Sequence, residues 1–179
     1  MPLTNLSKLP ARSKRGAFFV VVESPKGSSV KLKYNPKLGA FQLARPLVSG
    51  MHYPFDWGFI PGTCAPDGDP LDAMVFFDAS TYPGVIIECR ALGVIRLTQN
   101  RKSGTGRERN DRLLAVPLKA PRFSAFRGPA DLPARWREEI EQFFVASTKF
   151  ENKDAKVLGW GSARLGEKMV DEAVASHCP

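Results

Sequence analysis

Three carboxylates fall within six residues in Asp67-Gly68-Asp69-Pro70-Leu71-Asp72, directly ahead of the apolar run Ala73-Met74-Val75-Phe76-Phe77. Like charges this close repel, and a fold tolerates them most easily with something positive among them. Hard divalent cations such as Mg²⁺ take oxygen ligands and often bring phosphate with them. Gly68 allows backbone angles that other residues resist, and Pro70 stiffens the turn. In extended chain Asp67 and Asp69 point one way and Asp72 the other, so the Pro turn must bring Asp72 round to join them. A solvated acidic turn would use the same residue types, and the hexapeptide alone leaves both readings open. A calcium EF-hand loop is excluded. Counted from Asp67, its fifth ligand position falls on Leu71 and its required glycine on Asp72.

Several elements must position this turn. Tyr53-Pro54-Phe55-Asp56-Trp57-Gly58-Phe59-Ile60-Pro61-Gly62-Thr63 is dense in aromatics, Gly and Pro and reads as a rigid, irregular wall. Upstream, Phe18-Phe19-Val20-Val21-Val22 reads as a strand that ends in Glu23. Lys31 and Lys33 follow in alternating register, and Arg45 closes Phe41-Gln42-Leu43-Ala44. Gly93–Thr98 and Leu113–Pro117 read as strands, with residues 99 to 111 as an Arg/Gly-rich loop between them. Strands therefore run to about residue 118 and helices follow. Asp131-Leu132-Pro133 is a helix start, after which Leu132, Trp136, Ile140, Phe143 and Phe144 share one face. Ser162 caps a second helix that turns Leu165, Met169, Val170 and Ala173 inward. These stripes are core, and the β-first, α-last order fits an α+β domain with a small barrel. Taken singly, Lys31, Lys33 and Arg45 also read as exposed strand charges, and Trp57 as a wall or core residue. His52 reads as structural, and Cys64 as a buried neighbour rather than a ligand because Mg²⁺ prefers oxygen.

The chain has 179 residues, 43% apolar and 25% charged, which suits one globular domain with a real core. Residues 1–16 read as a basic, flexible leader, residues 17–179 as a single domain, and residues 174 to 179 as a second loose end. No apolar stretch approaches membrane-spanning length, and the basic N-terminal segment lacks the apolar centre of a secretory signal. Cys64, Cys89 and Cys178 form no even framework or metal spacing, which fits a reducing compartment. The net charge of +8 would draw anionic partners. Arg101-Lys102-Ser103-Gly104-Thr105-Gly106-Arg107 is not a Walker loop, since the Gly-Lys-Ser/Thr order is missing.

Taken in order, the Tyr53–Pro61 wall, the acidic hexapeptide, Gly93-Val94-Ile95, Leu114-Ala115-Val116-Pro117, Phe143-Phe144 and Gly159-Trp160 resemble the family I soluble inorganic pyrophosphatases, across roughly residues 17 to 161. The resemblance implies a small closed OB-type β-barrel flanked by two C-terminal helices. It also implies Mg²⁺-dependent hydrolysis of pyrophosphate to two phosphates. By position, Asp67 and Asp72 correspond to metal ligands, with Asp72 shared between ions, and Glu23 to an outer acidic residue. Asp69 corresponds to the general base, and Lys31 and Arg45 to phosphate clamps. The chain departs from the family at several places. Gln99 stands where an Asp is usual, and Asn110 or Asp111 where another falls, with Asp111 the favoured match. Arg112 replaces a Lys, Lys33 a Glu and Trp57 a Tyr. A late Tyr-Lys pair is met only by Ser147-Thr148-Lys149, with Lys149 the best substrate-binding candidate. The resemblance thus describes a divergent member with a thinned metal-ligand set. It further implies a cytoplasmic homo-oligomer, hexameric in many bacterial members, and no membrane association. Two rivals stand beside it. One is a homologue that binds phosphate-rich ligands without turnover. The other is a basic OB module for nucleic acid, which the basic charge favours and the acid triad opposes.

Overall fold

Phe18–Ser24 forms β1 of a computed structural model that describes residues 5–101 and 103–176. Asp56–Phe59 forms β4 and Asp72–Val75 β5, Ile86–Asn100 forms the long β6, and Arg112–Pro117 forms β8. β1 pairs with β4, β4 with β5, β5 in parallel with β8, β8 with β6, and β6 returns to β1. Five strands therefore close a ring, the OB-type barrel that the family resemblance implies. Closure leaves no open edge among these five strands. β2 (Val30–Asn35) and β3 (Ala40–Pro46) make a separate hairpin beside the ring.

Side-chain alternation sorts the barrel residues into two cores. Met74, Phe76, Leu114 and Val116 pack with Ile140, Phe143 and Phe144 of α1 (Ala134–Ser147). Their neighbours Ala73, Val75, Leu113 and Ala115 pack with Val170 and Ala173 of α2 (Ala163–Ala175). Both helical stripes sit as their spacing predicts, and the Ser162 hydroxyl accepts from the Leu165 N–H at 3.3 Å as the cap of α2. Gly58 lets β4 cross β1 closely, since a Cβ there would lie 2.0 Å from the Val21 carbonyl oxygen.

Three expectations change. A ninth strand, β9 (Lys156–Gly161), lies between the helices and pairs with the outer half of β6. The stretch 99 to 111 is not all loop: β6 runs through Asn100, and β7 (Arg107–Arg109) folds back on it. The first helix starts at Ala134, after a short 3-10 turn over Pro129–Asp131. Within the basic N-terminal segment, Ala11 is buried, and Arg12 bonds Glu167 and Asp171 of α2 at 3.1 and 2.6 Å. His177 and Cys178 lie outside the described residues. Among the described residues no helix is long and apolar enough to cross a membrane.

Candidate active site

The acidic hexapeptide is the β4–β5 connection. Gly68 adopts φ +81°, a left-handed value that a side chain would resist. Its N–H donates to the Ala65 carbonyl at 2.9 Å, and the Ala65 N–H donates to the Asp69 carbonyl at 2.8 Å. The Asp69 N–H donates to Asp67 Oδ1 at 3.2 Å. Thr63 fixes the far side of the turn. Its hydroxyl donates to the Ile60 carbonyl at 2.6 Å and accepts from the Leu71 N–H at 3.0 Å. Buried Leu71 then anchors the chain, and Asp72 emerges as the first residue of β5.

These carboxylates meet cations. Lys33 Nζ lies 3.2 Å from Asp69 Oδ2. Arg112 Nη1 pairs with Asp72 Oδ2, and the Arg112 guanidinium lies 5.5 Å from the centre of the Trp57 ring. Trp57 is itself buried, and its Nε1 makes no hydrogen bond to a described residue. Asp111 accepts from Arg109 through both oxygens, at 3.1 and 2.6 Å, and from the Leu97 N–H at 2.9 Å. Asp67, Asp72 and Asp111 line one cleft of about 670 Å³, together with Arg109, Asn110 and Arg112. Among the described residues, no three His, Cys, Asp or Glu side chains gather around a single point that could hold an ion. The donor chemistry nevertheless fits a hard divalent cation, because carboxylate oxygens share a cleft. Asp72 and Asp111 would exchange an arginine for the ion.

The basic half comes mainly from the hairpin. Lys31 and Arg45 are directly paired across β2 and β3, so both present their charge at one register. Glu23, at the end of β1, is only 5% exposed and accepts from the Tyr34 N–H at 2.7 Å. Burial pushes its carboxyl up to about 7, with the charge of Asp72 adding to the shift and Lys31 and Lys33 opposing it. Burial also lowers the Lys31 ammonium from its ordinary value; Arg112 and Lys153 add repulsion, while Asp72 and Glu23 pull the other way. Glu23, Lys31 and Asp72 therefore feel one another electrostatically, and Arg112 acts on Lys31 and Asp72.

The remaining sequence candidates sit otherwise. Gln99 is buried, and its Nε2 donates to Glu108 Oε1 at 3.1 Å, directly across the β6–β7 pairing. Lys149 is exposed at the end of α1. The cation that this part of the chain brings to the basic half is Lys153, which bears on Lys31 and bonds Glu151 at 2.9 Å. Glu151 also pairs with Arg45. Neither Glu151 nor Lys153 stood out in the sequence, because nothing in Phe150-Glu151-Asn152-Lys153-Asp154 distinguishes it from a solvated charged loop. Tyr53 was legible only as part of the wall. It is buried and feels Ser24, Arg45, Asp72 and Glu23. Burial raises its hydroxyl pKa, so it stays protonated.

Known proteins of similar sequence and shape agree with one another. The family described as inorganic pyrophosphatase matches residues 20–177. An inorganic pyrophosphatase of Synechocystis sp. is 36% identical over 173 residues, spanning 97% of this chain and 99% of the relative. The Thermus thermophilus inorganic pyrophosphatase is 34% identical over 179 residues, spanning 98% of this chain and 99% of the relative. A crystal structure of the Thermus thermophilus enzyme superposes with a TM-score of 0.87 at 33% identity, covering 96% of this chain and 98% of that one. A Coxiella burnetii inorganic pyrophosphatase gives 0.83 at 31% identity, covering 93% and 98%.

Proposed function

The chain belongs to the inorganic pyrophosphatase family, and from that premise we propose that it hydrolyses pyrophosphate with Mg²⁺ through the residues that meet at the hairpin and the acidic turn. The family hydrolyses pyrophosphate and uses divalent metal ions. The observation that carries the reading to this site is the opposition of two charged surfaces. Carboxylates Asp67, Asp69 and Asp72 stand on one connection, and Lys31 and Arg45 are paired across the adjoining hairpin. Such a pair of surfaces suits a compact polyanion that travels with cations.

In this reading Asp67, Asp72 and Asp111 would hold Mg²⁺, with Glu23 as an outer acid. Bound Mg²⁺ would supply Lewis acidity toward the phosphoryl oxygens and the attacking water. Asp69 takes the proton as water oxygen attacks one phosphorus. The bond from that phosphorus to the bridging oxygen breaks, and its electron pair leaves with the second phosphate. Lys31 binds phosphoryl oxygens as a point charge and Arg45 as a fork, which stabilises charge that builds on the leaving group. Arg112, its guanidinium 5.5 Å from the centre of the Trp57 ring, would be a third phosphate contact if Asp72 held the ion. Lys149, the remaining substrate-binding candidate from the sequence, is exposed and finds no support in this arrangement. A homo-oligomer belongs to the same reading. It is supported by exposed apolar side chains on and beside the β1–β6 face, Tyr82, Val85 and Ile86.

Phosphate release from pyrophosphate, measured with Mg²⁺ and with excess EDTA, tests the function. Turnover is expected only with the metal, and undiminished release in EDTA would overturn the metal assignment. Sedimentation at working concentration tests assembly: a species several times the 19.7 kDa chain mass is expected.

A further inference from the structure

Glu151 meets cations from two separate elements of the basic half. It pairs with Arg45 from β3 and with Lys153 at 2.9 Å from its own loop. Burial opposes its ionisation, yet the hydrogen bond from Lys153 and the charges of Lys153, Arg45 and Lys31 hold its carboxyl below the usual range. The loop that carries it is fastened from behind. Arg107 donates to Asp154 Oδ2 at 2.8 Å and to the Asp154 carbonyl at 2.6 Å, and the Asn100 N–H donates to the Lys153 carbonyl at 2.6 Å. Asp154 is held there at φ +42°, the one left-handed non-glycine among the described residues. Such strain persists only where surrounding bonds enforce it.

We infer that Glu151 is a resident stand-in for a substrate phosphate, and that Lys153 is a further substrate-binding residue which the α1–β9 connection delivers to the basic half. A carboxylate and a phosphoryl group both present anionic oxygens to a guanidinium or an ammonium. Three cations around one carboxylate are therefore a phosphate site filled by the chain itself. Phosphate must displace Glu151, after which Lys153 and Arg45 both bind the substrate. Because Arg107 and Asn100 hold the loop by Asp154 and by the backbone of Lys153, the Glu151 side chain can turn away without the loop leaving.

This rests on the pyrophosphatase reading, and the test separates the two. KM and kcat for pyrophosphate, and direct calorimetric binding of inorganic phosphate, would be measured for the parent chain, Glu151→Gln, Lys153→Ala and Lys153→Arg. Glu151→Gln is expected to lower KM about three- to tenfold, tighten phosphate binding similarly and leave kcat near the parent value. Lys153→Ala is expected to raise KM about tenfold, and Lys153→Arg to restore most of the loss. If Glu151→Gln left both KM and phosphate affinity unchanged or weakened them, the stand-in would be overturned. If Lys153→Ala left KM unchanged, Lys153 would not touch substrate. Absence of turnover in the parent, with phosphate binding still tightened by Glu151→Gln, would overturn the hydrolase reading and support the stand-in.

Discussion

The acidic turn and the basic hairpin are balanced by different means. On the acidic side, Asp69 and Asp72 meet cations borne on strands: Lys33 on β2 and Arg112 on β8. On the basic side, Arg45 and Lys153 meet Glu151, a carboxylate on an irregular connection. Strand-borne partners stay where the sheet puts them, while a loop-borne partner moves at lower cost. The two kinds of incoming charge therefore face different tasks. On the proposed function, a metal would compete with side chains that remain nearby, and a phosphate with one that can withdraw.

The largest test of this contrast lies in the acidic turn. Asp69→Asn is expected to cut kcat by roughly 10²–10⁴-fold, the usual contribution of a positioned base, with Mg²⁺ binding retained by calorimetry. Asp72→Asn should weaken Mg²⁺ binding as well. The reverse pattern would mean that the two roles are exchanged.

Glu23 gives a pH signature. Its carboxyl is raised from 4.5 to about 7, so the folded chain keeps its proton where the unfolded chain loses it. Stability from this group is fully present below pH 4.5 and is lost as pH rises through about 7. The loss amounts to at most about 3 kcal/mol. Denaturant unfolding of Glu23→Gln should show a flatter profile over this window, with the variant gaining on the parent as pH rises. Parallel profiles would mean that Glu23 is solvated.

Gln99→Asp sharpens the comparison. It places a second carboxylate against Glu108, so the metal-free variant should lose about 1–3 kcal/mol in thermal or chemical unfolding. It should also need less Mg²⁺ for half activity. Asp111→Ala should raise the Mg²⁺ requirement, and it should destabilise by a similar amount by freeing the Leu97 N–H and Arg109. An unchanged requirement would make Asp111 purely structural. Ser162→Ala is the smallest effect: about 1 kcal/mol of stability from a lost cap, with KM and kcat unmoved.

Features legible in the sequence were those whose cause is local. The acidic turn follows from Gly68 and Pro70, and the helical stripes follow from spacing along one face. Ring closure by β6 onto β1 is long-range, and only the family resemblance supplied it. Strand β9 escaped because Lys156-Val157-Leu158-Gly159-Trp160-Gly161 carries two glycines and little alternation, and β6 rather than its own pattern makes it a strand. The place of Lys153 beside Lys31 and Glu151 escaped for a similar reason. The bond from Arg107 to Asp154 spans 47 residues and places the loop, and nothing near Lys153 in sequence announces it. The pairing of Lys33 with Asp69 spans 36 residues and was equally out of reach.

Gly58 carries one more consequence. A single added carbon at this position would meet the Val21 carbonyl at 2.0 Å, so the gap between two staves is gauged by a missing atom. One of those staves ends in Glu23, and the other leads by way of Thr63 to the acidic turn. Any wedge at Gly58 would spread them, and Glu23 would drift from the acidic turn without either being altered. The spacing of these two acidic elements is thus fixed by a residue that has no chemistry of its own.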